Sequence, residues 1–226
     1  MIYLVFVAAA ICAALAIYSY CCYEGVFSPV YKHFPRKKSA DGEVVPFSKD
    51  ASLWLMIGMF PILLLVQVLL HRNTQIVALV KLVVLLAIVI CAGIVDLKKR
   101  IIPNLLVCFG LLFWVGITVL DVVNSDNLKG LLASELIGFL VGFVLLAVVS
   151  VLTKGALGFG DVKLFGVIGL IGGAFCTYST LLVSLIVSVI VAVIGMATKK
   201  IGRKDSIPFG PCIMLGYIIV LFLGSY

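Results

Sequence analysis

Apolar runs of about 20 residues recur along this chain, and about 20 apolar residues are what an α-helix needs to cross a bilayer. Eight such runs are read, at about 2–22, 51–70, 75–95, 104–121, 131–152, 161–178, 180–198 and 208–225. The division between 161–178 and 180–198 rests on "CTYSTLL", a short and weak break. Of the 226 residues, 64% are hydrophobic and 12% are charged; a soluble domain carries about 45–50% and about 25%. A chain of this size still presents a large surface to its surroundings, so no water-soluble fold hides that much apolar material. The expected fold class is all-α, a polytopic integral membrane protein of about eight transmembrane helices. The opening run, "MIYLVFVAAAICAALAIYSYCC", has neither the basic start nor the small-residue cleavage site of a signal peptide, and is read as a retained first span.

The basic residues orient these spans. Alternate loops hold Lys32, Arg36, Lys37, Lys38 and Lys49; Lys98, Lys99 and Arg100; Lys154 and Lys163; and Lys199, Lys200, Arg203 and Lys204. The other side keeps Arg72 and Lys129, with Lys81 just inside a span. Cytoplasmic loops carry the excess of lysine and arginine, so the basic loops are expected in the cytoplasm and both termini outside. The net charge of +7 is explained by this topology. Membrane lipids are therefore expected as partners, nucleic acid is not, and "KHFPRKK" is read as a headgroup anchor.

The seven cysteines, Cys12, Cys21, Cys22, Cys91, Cys108, Cys176 and Cys212, lie mostly in or beside apolar runs, where cysteine behaves as a small hydrophobe. They form no C-x-x-C pair, so neither a zinc site nor a disulfide framework is expected.

Two acidic residues stand apart from the rest. Asp96 ends the third run in "AGIVDLKKRIIPN", and Asp161 opens the sixth in "GALGFGDVKLFG". Both fall at the cytoplasmic membrane edge. Asp41, Glu43, Asp121, Asp126 and Asp205 are placed in loops, where solvation is cheap, and Glu135 near the outer interface. Lys98, Lys99 and Arg100 suit a helix C-terminus, and Pro103 suits the first turn of the next helix. The plain alternative for Asp96 is an ordinary basic turn. Gly158 and Gly160 clear side chains from beside Asp161, so that a second backbone can approach it; here the plain alternative is a helix N-cap. Two aspartates meeting at a partly dry site cannot both ionise easily, so the pair can hold one shared proton. One carboxylate then takes a proton from water while the other donates to a scissile carbonyl. This chemistry needs no metal or cofactor, and His33 and His71 fall on opposite sides of the expected topology, which argues against a histidine-based triad.

With "DLKKRIIPN", "GFGDVKL" and "IPFGP" at 207–211 in view, the chain resembles the type IV prepilin peptidases, aspartic membrane proteases that process pilin precursors. The likeness covers about 93–211. It implies that Asp96 and Asp161 are the catalytic aspartates, that Gly158 and Gly160 are the motif's glycines, and that Lys163 is its basic residue, in contact with substrate or else snorkelling to the interface. Pro103, Asn104, Pro208 and Pro211 are expected to shape backbone. The chain is then one membrane-embedded peptidase domain, 1–226, with a catalytic core at 75–226. At 23–50 it departs from the family: that cytoplasmic loop lacks the paired cysteine motif many members carry. Zinc is not implied, and S-adenosylmethionine is a cofactor only if methyl transfer is retained.

The resemblance further implies prepilin or pseudopilin precursors as substrates, the bacterial inner membrane as location, and an active site facing the cytoplasm. A substrate helix would pack on Gly138 and Gly142 or on Gly166, Gly169, Gly172 and Gly173, unless these glycines pack the protein's own helices. One rival is a presenilin-like intramembrane protease, whose first aspartate lies deeper in an apolar helix than the lysines after Asp96 allow. A rival of another class is a proton-coupled transporter. That reading calls for inverted repeats and mid-span charge, of which the sequence offers only Lys81.

Overall fold

The computed structural model describes residues 76–124, 127–152, 157–198 and 208–224. The spans expected at 2–22 and 51–70, the loop 23–50, and the basic residues Lys154, Lys199, Lys200, Arg203 and Lys204 lie outside the described residues. Within the described residues every regular element is helical: α1 (Ile76–Lys99), α2 (Asn104–Asn124), α3 (Leu128–Leu152), α4 (Phe159–Ala197) and α5 (Gly210–Leu223). α1, α3 and α4 are each long and apolar enough to cross a bilayer, while α2 over Asn104–Val119 and α5 are shorter apolar helices. The chain is a multi-pass, all-α membrane protein.

α1 is apolar on nearly every face, and such a helix belongs in the middle of a bundle. Every residue from Leu79 to Asp96 is buried, with α2, α4 and α5 packed around it. α3 packs chiefly on α4. Lipid tails are as apolar as leucine, so helices in a bilayer associate through close packing and polar contacts. The α3–α4 seam is built that way: a β-carbon on Gly138 would overlap the backbone of Gly169 and Gly173, and one on Gly142 would overlap Phe165. These glycines pack the protein's own helices.

One boundary differs from expectation. The runs 161–178 and 180–198 are two helices that follow one another without a loop, and they divide at Gly173 rather than at "CTYSTLL". Gly173 has φ 77° and ψ −178°, a conformation that side-chain-bearing residues rarely adopt. Gly142 meets both Phe165 and Thr177, which a straight helix would hold about 18 Å apart, so α4 doubles back. Two of the backbone groups at the break find side-chain partners. Ala174 donates its N–H to Ser134 Oγ at 3.1 Å, and Thr177 Oγ1 donates to the Gly173 carbonyl at 2.7 Å. A break at membrane depth is tolerated when its polar groups find such partners. "CTYSTLL" follows the turn because Thr177 serves it.

A second difference concerns charge. Asp121 is not in a solvated loop: it lies in α2 and is 4% exposed. Lys81 Nζ stands 2.6 Å from Asp121 Oδ2 and 2.6 Å from Glu135 Oε1, and Trp114 Nε1 donates to Glu135 Oε2 at 2.9 Å. Glu135 is likewise buried. This cluster ties α1, α2 and α3 together near the Gly173 turn, since Ser134 is the neighbour of Glu135.

Candidate active site

At the opposite end of α1, the chain leaves the helix through Arg100, which takes a left-handed φ of 55° and donates its N–H to the Asp96 carbonyl at 2.8 Å. A left-handed residue commonly closes a helix this way, though usually it is glycine. The backbone then runs through Ile101, Ile102 and Pro103 without regular structure before α2 begins at Asn104. The Pro103 carbonyl accepts the N–H groups of Leu106 and Val107, so Pro103 starts α2 as its position in the sequence suggested.

Asp96 sits in the last turn of α1 and is 6% exposed. Its Oδ2 accepts the N–H of Gly210, the first residue of α5, at 2.8 Å. Arg100 lies within electrostatic reach of the same carboxylate.

Asp161 stands in the first turn of α4. The residue that caps this helix is Gly158, in an extended conformation, and Asp161 donates its N–H to the Gly158 carbonyl at 3.1 Å. The simple N-cap alternative for Asp161 therefore does not describe it. Its side chain is buried, and Oδ1 has no hydrogen-bond partner among the described residues. A buried polar atom without a partner is costly and calls for an explanation. Asp96 and Asp161 are near enough to interact electrostatically, so the structure brings together the two acids singled out in the sequence.

The two glycines of "GFGD" play different parts. A β-carbon on Gly160 would come within 3.0 Å of Ile102 Cβ. The room it leaves is filled by the chain's own segment after Asp96, and that contact joins the two aspartate-bearing regions. Gly158 is exposed, and among the described residues a β-carbon there would meet only Asp161, with Oδ2 at 3.1 Å. Of the two, it is Gly158 that no other described residue covers on the side of the carboxylate. Lys163 Nζ donates to Asn104 Oδ1 at 3.0 Å and lies 5.4 Å from the centroid of the Phe159 ring. It binds the start of α2 to the start of α4, and Asn104 does more than shape backbone.

Gly210 was not singled out by sequence reasoning. The "IPFGP" stretch entered as part of the resemblance, with Pro208 and Pro211 expected to shape backbone, yet the contact with Asp96 comes from the glycine between them. Its position at the opening of an apolar run was the available signal. Phe209 beside it stacks on Phe165 of α4, with centroids 6.3 Å apart.

A pair of buried carboxylates open to an extended chain through a glycine can activate water and protonate a carbonyl. Among the described residues no three His, Cys, Asp or Glu side chains converge on a metal-sized site, and Cys108, Cys176 and Cys212 form no disulfide.

The chain matches the model of the type IV leader peptidase family over residues 83–196, a stretch that includes both aspartates and stops short of 207–211. It is 27% identical over 143 residues to the prepilin leader peptidase/N-methyltransferase of Bacillus subtilis, an alignment covering 63% of this chain and 55% of that protein. It is 32% identical over 142 residues to the type 4 prepilin-like proteins leader peptide-processing enzyme of Escherichia coli, covering 62% and 50%. A prepilin leader peptidase/N-methyltransferase of Pseudomonas aeruginosa is 29% identical over 138 residues, covering 59% and 46%. The chain thus spans about half the length of these curated relatives. No solved structure matches it.

Proposed function

This chain belongs to the type IV leader peptidase family, and from that premise we propose that it is a membrane aspartic endopeptidase. It removes the short basic leader from type IV prepilin-like precursors at the cytoplasmic face of the bacterial inner membrane. The reading rests above all on one observation: the end of α1 and the first turn of α4 meet so that Asp161, with a buried and unpartnered Oδ1, stands beside Asp96.

The chemistry follows from those surroundings. A carboxylate that accepts a backbone N–H suits the ionised state, and Asp96 accepts that of Gly210. Asp96 takes a proton from the attacking water. Asp161, buried and with no partner for Oδ1 among the described residues, holds the proton the pair shares and donates it to the scissile carbonyl. The tetrahedral intermediate then collapses: the leaving amine takes up the proton held by Asp96, and a hydroxyl of the intermediate returns its proton to Asp161 as the carbonyl re-forms. The substrate backbone approaches past Gly158, the exposed glycine of the motif. A prepilin presents its cleavage point where a basic leader meets an apolar helix, which is the depth at which both aspartates stand if the basic ends of these helices face the cytoplasm.

Methyl transfer appears in the names of the Bacillus subtilis and Pseudomonas aeruginosa relatives. In this chain 23–50 carries no cysteine motif to match the bifunctional pattern, and the mass of the product's new amino terminus decides whether methyl transfer accompanies cleavage.

The test is cleavage of a model prepilin, with a basic leader ending in glycine, by the wild-type protein, Asp96→Asn and Asp161→Asn in membranes. Leader loss is followed by gel shift and by the mass of the new amino terminus, which also reveals any methyl group. Cleavage by the wild type alone is expected; persistent cleavage by either variant removes the two-aspartate mechanism.

A further inference from the structure

α5 begins where the two aspartate-bearing helices meet, and its first residues contact both. The Gly210 N–H reaches Asp96 Oδ2 on α1 at 2.8 Å, while the neighbouring Phe209 ring stacks on Phe165, one helical turn beyond Asp161 on α4. Position 210 also has no space for a side chain. A β-carbon there would lie 2.7 Å from Asp96 Cβ and 2.8 Å from Oδ2, separations that real β-carbons do not show. The approach of α5 to α1 is therefore set at the carboxylate itself.

A hydrogen bond is not required to hold this pair of helices together. They share a second one midway along α5, where Tyr217 Oη donates to the Leu82 carbonyl at 3.2 Å. What the Gly210 contact adds is control over one oxygen of Asp96. With Oδ2 held by a backbone donor that cannot rotate away, Oδ1 is left as the oxygen able to take a proton from water. The free N–H groups of a helix start, together with the positive end of its dipole, favour a negative charge at that point.

We infer that Gly210 is a positioning residue of the peptidase site: its backbone N–H orients the Asp96 carboxylate, and its missing side chain is what lets the α5 N-terminus reach it. This inference rests on the peptidase reading above and extends the site to α5, beyond the stretch matched by the family model, which ends at residue 196.

The decisive test removes the donor and adds no atom. The full chain is made by cell-free translation into nanodiscs with glycolic acid in place of Gly210, so that an ester oxygen replaces the N–H. Its kcat and KM for a model prepilin are compared with those of wild type, Gly210→Ala, Tyr217→Phe and Asp96→Asn. A hydrogen bond to a charged group contributes enough that kcat should fall about 10- to 100-fold in the ester protein, with KM within about threefold of wild type. Gly210→Ala, which also pushes on Asp96, should lose at least as much activity. Tyr217→Phe loosens the same helix pair away from the carboxylate and should keep kcat within about twofold.

An ester protein with wild-type kcat overturns the inference. So does an equal loss of kcat in Tyr217→Phe, because general loosening of α5 would then explain both. If the wild type cleaves no prepilin, or Asp96→Asn still cleaves, it is the peptidase reading that fails, and the role of Gly210 falls with it.

Discussion

α1 carries a pair of acidic partners at each end, and the two ends treat them in opposite ways. Near its start Asp121 and Glu135 converge on Lys81, each carboxylate 2.6 Å from the ammonium, with Trp114 donating to the glutamate. Near its end, about 22 Å away at the helical rise, Asp96 and Asp161 lie within electrostatic reach of one another, and one oxygen of Asp161 has no partner among the described residues. Burial is alike in the two places. What differs is that the first pair encloses a cation while the second keeps an acceptor in reserve. Buried acids with a lysine between them act as a tie between helices. Buried acids left to share a proton can exchange it with a substrate.

That contrast breaks if the wrong pair proves reactive. Asp96→Asn and Asp161→Asn should each lower prepilin cleavage by about 10³-fold or more, the upper range of what a positioned acid or base contributes. Thermal unfolding in detergent should show both variants folded. Lys81→Met should do the reverse. Two uncompensated buried carboxylates are expected to cost about 3–5 kcal/mol of stability, read from the same unfolding curves, while the folded fraction retains its kcat. The triple variant Lys81→Met, Asp121→Asn, Glu135→Gln should recover most of the loss. Were Lys81→Met to abolish turnover in folded protein, the two ends would not be functionally distinct.

Smaller changes sharpen the same comparison. Trp114→Phe removes the indole donor to Glu135 and should cost about 1.5–3 kcal/mol, again in stability and not in cleavage. Lys163→Met, at the active end, cuts the exposed tie to Asn104 and should change stability by less than about 1 kcal/mol. Its effect on cleavage separates two roles: a raised KM at unchanged kcat marks substrate contact, and wild-type kinetics mark a lysine that only joins α2 to α4.

Much of this was legible in the chain itself. Helix formation in a bilayer is imposed on any apolar run of sufficient length, because backbone N–H and C=O groups find no water there. The apolar runs therefore announced α1, α2, α3 and α5 nearly to their ends. Asp96 and Asp161 were visible for the same reason: an acid at the edge of an apolar run is expensive, and glycines beside it are unusual. The misplacement of Asp121 shows where such reasoning stops. From its position near the end of a run it passed for a solvated residue, and only the arrival of Lys81 from another helix revealed it as buried and paired.

The sequence by itself determined that the chain is helical and that it resides in a membrane, since both follow from local composition and the bilayer's demand for satisfied backbone. Tertiary structure alone decided that α4 reverses at Gly173, that Gly160 yields its space to Ile102 while Gly158 stays open, and that Gly210 reaches across from α5 to hold Asp96. These are contacts between residues far apart in the chain, and a linear pattern carries no record of which distant backbone will fill the room a missing side chain leaves.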